Sequence, residues 1–203
     1  AMLVCTVLFR GRKVERFGVS FSNAGFIGIP LVSSVLGPGA VFYISSFVAL
    51  LNIFQWTYGV MVMTDSRENI RLQKLAKNPI LIAMVIGLVL FAAQPVLPEV
   101  LTTSVSALAG LNAPLAMIIL GIYLAQVDLI SVFNAKILYI SSAVRLLLIP
   151  SLTLLMLLPL PVEPAMKLAI LIAASAPIGS NVAIFAQMHH QDYGLAVREV
   201  CLS

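Results

Sequence analysis

Asn23, Asn52, Gln55, Asn112 and Asn181 are side-chain amides set inside otherwise apolar stretches of this sequence. An amide both donates and accepts hydrogen bonds and carries no charge that must be stripped of water. Asn23 stands in SNAGFIGIP and Asn181 in APIGSNV, each beside the glycine and proline that interrupt helices. An interrupted helix exposes an N-terminus carrying about half a positive charge. An amide beside such an end suits an anion, and a carboxylate is the natural candidate. The competing role is local: each Asn satisfies only the backbone groups that its own break uncovers. Asn52, Gln55 and Tyr58 follow at i, i+3 and i+6, beside Trp56, on one broad helical face. They are expected to line the same cavity, or else to join helices by plain hydrogen bonding.

Other chemistries find little support. Arg145, in SAVRLLLIP, is the one basic residue well inside an apolar run. Such a charge is a candidate functional group by default, but snorkelling or pairing with Asp128 is the favoured expectation. His189, His190 and Asp192 end an apolar run, where they either titrate or cap a helix. No HExxH, GxSxG, Walker-type or CxxC pattern occurs, and Cys5 and Cys201 sit near opposite ends of the chain. No catalytic residue, metal site or cofactor is expected, and the chain is expected not to be an enzyme.

The elements that must position these amides follow from composition. Of 203 residues, 61% are hydrophobic and 10% charged, far below the quarter or so usual in soluble domains. The apolar runs suit a lipid solvent. They give the end of one helix at 1–10 and spans near 17–37, 41–64, 79–97, 104–126, 137–158 and 165–188, with another helix beginning in 192–203. The truncated first and last runs suggest a fragment. Connections 10–16 and 65–78 hold eight of the twelve Lys and Arg residues, and two spans separate them, which places both in the cytoplasm. The net charge of +4 is thereby explained by topology, with no nucleic-acid partner.

Pro30 has no N–H to give, so the span at 17–37 is expected to break near 26–30. Pro177 and Gly179 repeat the peculiarity in 165–188. Such breaks survive in a membrane only against protein or a water-filled cavity. Four spans lie between the two, so they run in opposite directions, as in an inverted-topology repeat whose discontinuous helices cross at the substrate. The bland alternative is that the small residues merely let helices pack closely.

Five motifs in order resemble those of the auxin efflux carrier family, which includes bacterial malate-permease-like proteins. They are Asn23 to Leu31 (N-x4-G-I-P-L), Lys77-Asn78-Pro79, Pro114 through Gly121 to Leu124, Arg145 to Pro150, and Ala176-Pro177-Ile178-Gly179 with Phe185-Ala186. The resemblance implies an all-α polytopic transporter with a five-plus-five inverted repeat and two broken crossover helices, of which this is a partial chain. Residues 1–64 would end the first repeat (helices three to five), 65–78 would be a cytoplasmic connection, and 79–203 would hold helices six to nine and the start of the tenth. It also implies a transport domain moving elevator-fashion against a scaffold, as a homodimer. Asn181-Val182 replaces the second proline of plant members, and 65–78 is short, which favours a bacterial member in the cytoplasmic membrane.

The expected function is a secondary transporter for a small organic anion, a mono- or dicarboxylate of malate or auxin type. Asn23, Asn181, Asn52, Gln55 and Asn112 are the substrate-binding candidates, and Gly25, Gly28, Pro30, Pro177 and Gly179 form the crossover. A proton or sodium ion is the open coupling partner. The alternative is a channel or non-transporting membrane component whose breaks serve packing only.

Overall fold

The computed structural model describes residues 1–64, 79–125, 132–133 and 135–203; at 79–81, 84, 88, 91, 112–113, 116, 119–120 and 123 it describes the backbone alone. The 65–78 connection, with Lys77 and Asn78, and Asp128 lie outside the described residues, as does the side chain of Asn112. Every regular element among the described residues is helical. The chain is an integral membrane protein, and large apolar side chains such as Leu3, Val7, Val85, Val100, Leu147 and Met156 stand exposed, as lipid-facing positions require.

The chain opens with α1 (Met2–Leu8) and α2 (Lys13–Ser20). After a break comes a π turn (Ala24–Gly28) that runs into α3 (Ile29–Leu36). Then α4 (Val41–Phe54) passes through a second π turn (Gln55–Gly59) into α5 (Val60–Thr64). α6 (Pro79–Ala93) and α7 (Glu99–Gly110) precede α8 (Asn112–Leu124). α9 (Lys136–Ala143) passes through a third π turn (Val144–Leu148) into α10 (Ile149–Leu157). α11 (Pro164–Ser175), a second break, α12 (Asn181–Met188) and α13 (Tyr193–Leu202) complete the order.

Among the described residues, two helical stretches, Pro38–Thr64 and Lys136–Leu157, are continuous, long and apolar enough to cross a bilayer. The expected spans 17–37 and 165–188 are divided by their breaks, and the expected span 104–126 differs in its bounds. Pro98, extended at φ −56° and ψ 141°, starts a helix at Glu99 instead. Pro114 has no N–H for the carbonyl of Gly110, and the helix ends there before resuming at Asn112. Lys13 begins α2 before the expected start at 17, with Glu15 in the first turn, where the helix dipole favours an acid, and Arg12 3.6 Å from it.

The break in 17–37 is displaced from the expected 26–30 to 21–23. Pro30 is accommodated otherwise: its ring would strike the carbonyl of Phe26, and Phe26 lies in the π turn, whose wider i→i+5 bonding relieves the clash. The same device recurs before Pro150, whose i−4 residue, Leu146, lies in the third π turn. In both places the π turn leads into an Ile-Pro pair, Ile29-Pro30 and Ile149-Pro150.

Packing divides at the breaks. One core gathers Phe17 and Val19 of α2, Val62 and Met63 of α5, Val182 and Phe185 of α12, and Ala196 and Val197 of α13. The other gathers Ala24 and Val32 with Ile44, Ala169 and Ala173. Thus α2 packs with α12 on one side of the breaks, and α3 with α11 on the other.

Candidate functional site: a junction of two helix breaks

Ser20 ends α2, and Phe21 turns extended at φ −118° and ψ 114°. Ser175 ends α11, and Ala176 does likewise at φ −59° and ψ 146°. The two extended stretches meet as an antiparallel bridge between Ser22 and Ile178. The Asn23 N–H donates to the Pro177 carbonyl at 2.8 Å, and the Gly179 N–H donates to the Phe21 carbonyl at 3.1 Å. Each break thereby supplies what the other lacks, which a backbone inside hydrocarbon requires. A Cβ on Gly179 would lie 3.4 Å from the carbonyl oxygens of both Phe21 and Ser22, at van der Waals contact, so the two backbones run close together here. A third donor is met from α13, where the Ser203 hydroxyl accepts from the Ile178 N–H at 3.1 Å.

The helix ends that remain are satisfied by Arg145. Its Nε donates to the Ala176 carbonyl at 3.0 Å and its Nη1 to the Val19 carbonyl at 3.2 Å, while Nη2 donates to the Ala174 carbonyl. Arg145 is 2% exposed, so the expected snorkelling does not occur. Its position in the third π turn aims the guanidinium at the C-terminal carbonyls of α2 and α11. Two helix C-termini carry about half a negative charge each, which one guanidinium offsets. The N-terminal ends at Asn23 and Asn181 have no such compensation among the described residues, and together they leave about one positive charge at the junction.

Of the expected binding residues, Asn181 and Gln55 come together: the Asn181 Nδ2 donates to the Gln55 Oε1 at 3.3 Å. Gln55 is buried in the second π turn. Asn23 is buried, and its carbonyl accepts from Ile27 and Gly28 at 3.1 and 3.3 Å, while its side chain meets no partner among the described residues. Asn52 is half-buried one turn before Gln55, with its side chain outside any hydrogen bond among the described residues.

Tyr58 leaves the face it was expected to share. Its hydroxyl bonds Thr6 Oγ1 at 2.8 Å and accepts from Arg16 Nε at 2.9 Å, tying α5's approach to α1 and α2. The π turn at Gln55–Gly59 inserts a residue into the helical period and rotates Tyr58 away from Gln55. Trp56 packs on Phe185 of α12, ring centroids 4.7 Å apart.

Among the expected crossover residues, Pro177 and Gly179 form the bridge bonds. Gly28 lies a turn beyond, where a Cβ would meet Ile44 Cδ1 at 2.9 Å, so it serves close packing of α3 on α4 and α11. Pro30 opens α3. Gly25 has open space around its Cα and makes no close approach. A cavity of about 270 Å³ lies against the junction, walled by Ile27, Leu31, Ile172, Ser175 and Pro177. A larger one of about 740 Å³, between α1, α4 and α10, reaches Ser20 and Phe21. Both are mostly apolar.

His190 and Asp192 have capping roles. His190 takes the left-handed conformation at φ 54°, its N–H bonded to Gln187, and the Gln191 N–H reaches the Ala186 carbonyl at 2.7 Å. These two bonds are a Schellman closure of α12. Asp192 Oδ1 accepts from the Leu195 N–H at 2.8 Å and caps α13.

Interrupted helices, joined at a polar junction with its own internal cation, define the class: an all-helical membrane protein. The family model described as Membrane transport protein, that of the auxin efflux carrier-like transporters, matches residues 3–200, and the chain belongs to this family. Comparisons with curated proteins and with solved structures returned no match.

Proposed function

We propose that the chain is the anion-translocating part of a secondary carrier, and that the junction of the two breaks is the crossing of an inverted repeat at which the anion binds. The observation that carries this reading is the uneven electrostatics of the junction. Arg145 offsets the two helix C-termini, while the N-termini beside Asn23 and Asn181 keep roughly one positive charge. The amides of Asn23, Asn181 and Gln55, the first and last of them buried, add donors without adding a fixed counter-ion. A single carboxylate matches that charge, and the mostly apolar cavities against the junction suit a monocarboxylate with a hydrophobic remainder better than a compact dicarboxylate.

The antiparallel sense of the bridge and the pairing of α2 with α12 and of α3 with α11 support the repeat. The bridge makes the two broken helices one body, as alternating access by rigid movement of a transport domain needs. By the same reading, residues 1–64 and 79–203 belong to successive repeats, with 10–16 and 65–78 on the cytoplasmic face.

Flux of labelled carboxylates into proteoliposomes tests the site. Asn23→Ala and Asn181→Leu are expected to abolish saturable uptake and counter-exchange while the protein stays folded. Unchanged flux in Asn23→Ala removes that residue from the site. Single-channel currents in place of exchange would favour the channel alternative.

A further inference from the structure

Glu199, on α13, is completely buried, and neither carboxylate oxygen has a hydrogen-bond partner among the described residues. An ionised carboxylate without a cation or a donor is among the costliest groups a fold can bury. Four helices pack on α13: α2, α8, α9 and α12. From α2 comes Glu15, close enough to repel a second negative charge and itself 3.6 Å from Arg12. The other cations of that helix are Lys13 and Arg16, the latter held on the Tyr58 hydroxyl. From α9 comes Ser141, whose buried hydroxyl faces the carboxyl group without a completed hydrogen bond; Lys136 stands at that helix's start, and Tyr139 donates to the Phe133 carbonyl. The sequences of α8 and α12 contain no Asp, Glu, Lys, Arg or His. On α13 itself, Arg198 Nε donates to the Gly194 carbonyl. Arg145 is engaged with its three carbonyls.

We propose that Glu199 is a proton-binding site, protonated in this state, and that its proton is coupled to anion binding at the junction. The neutral acid can donate its O–H to Ser141, which removes the orphaned charge and gives the serine a partner. A sodium ion fits the same place less well. The carboxyl group is pressed against Gly18, where a Cβ would lie only 2.6 Å from Glu199 Oε2, and the side-chain oxygens the geometry brings towards it among the described residues, the Ser141 hydroxyl and the Glu15 carboxylate, fall far short of a cation's oxygen cage.

The path to the junction is short. Gly18 lies between Glu199 and Ile178, whose Cγ2 would be 3.2 Å from the same Cβ, and Ile178 is one half of the bridge. One turn on from Glu199, the Ser203 N–H donates to the Glu199 carbonyl, and the Ser203 hydroxyl holds the Ile178 N–H. Loss of the proton places a negative charge behind the bridge, repelling an anion at the junction and pushing α13 away from α2. Proton and anion therefore favour each other, the sign of a proton–anion symport.

Only the coupling half of this inference rests on the carrier reading. The proton half is tested on the purified chain by infrared difference spectroscopy across a pH titration. A carbonyl band of a protonated carboxyl group is expected at neutral pH, shifted by deuterium exchange and missing in Glu199→Gln. Absence of that band from the unsubstituted protein overturns the proposal, whatever the variant does. So does a thermal stability that rises with sodium chloride but not with choline chloride, in the unsubstituted protein and not in Glu199→Gln, because it identifies a sodium site. The coupling half is read in proteoliposomes loaded with buffer and offered malate or indole-3-acetate. One proton per anion gives about tenfold accumulation per pH unit of imposed gradient, and Glu199→Gln is expected to lose the response to the gradient. If the variant still accumulates the anion with the gradient, Glu199 does not carry the proton. If no carboxylate moves in either protein while the band is present, the carrier reading fails and the proton site stands.

Discussion

Replacing Arg145 by methionine should separate a structural cation from an ornamental one. The guanidinium makes three hydrogen bonds to buried carbonyls, on Val19, Ala174 and Ala176. At about 1.5–3 kcal/mol for each bond to a charged group, their gross worth is roughly 4–9 kcal/mol. Part of that is returned because methionine need not be stripped of water as a guanidinium must, a saving of several kcal/mol. Three carbonyls then lose their partner inside the bundle, and the net loss should be about 4 kcal/mol, within the range for breaking a buried charged arrangement. That corresponds to roughly a thousandfold in the unfolding constant. Trp56 is the only tryptophan of the chain and packs on Phe185 beside the junction, so its fluorescence during denaturation in detergent reads this site directly. Arg145→Lys should fall between, since an ammonium keeps the charge but not the planar fork that spans three acceptors. If Arg145→Met unfolds within about 0.5 kcal/mol of the original protein, as ordinary surface substitutions do, Arg145 does not hold the junction.

Two further substitutions follow from local geometry. Gly18→Ala places a Cβ 2.6 Å from Glu199 Oε2 and should destabilise by about 1–3 kcal/mol, whereas Gly25→Ala meets open space and should be neutral or stabilising by up to about 1 kcal/mol; equal denaturation midpoints for the two would contradict this placement. His190→Gly should raise the midpoint, because a non-glycine residue in the left-handed conformation costs roughly 1 kcal/mol, and His190→Val should lower it.

The presence of breaks was legible in the sequence, but the position of the first was not. Proline marks where a straight helix fails, and Pro30 pointed to 26–30. A π turn absorbs that proline locally, whereas the opening at 21–23 is made by hydrogen bonds to 177–179, which no local pattern encodes. Gln55 and Asn181 were both visible in the sequence, since an amide in an apolar run is conspicuous; that they touch each other depends on tertiary packing. The face shared by Asn52, Gln55 and Tyr58 assumed a regular 3.6-residue period, and the π turn within it broke that assumption. Arg145 stood out by charge, but its partners are main-chain carbonyls, which look alike in every sequence. Glu199 escaped notice because it lies near a run of mixed polarity, where its depth comes entirely from the helices packed on it.

The bridge between Ser22 and Ile178 also has a consequence for how the chain is made. Its two hydrogen bonds join residues that are synthesised far apart in time, with most of the helices emerging between them. Until 177–179 arrives, the Asn23 N–H and the Phe21 carbonyl lack the partners they have in the finished fold, and contacts so distant in sequence form late. The first break must therefore wait, held by water or by the insertion machinery, through the entry of α4 to α11. The polar centre of the molecule closes only after α11 has entered.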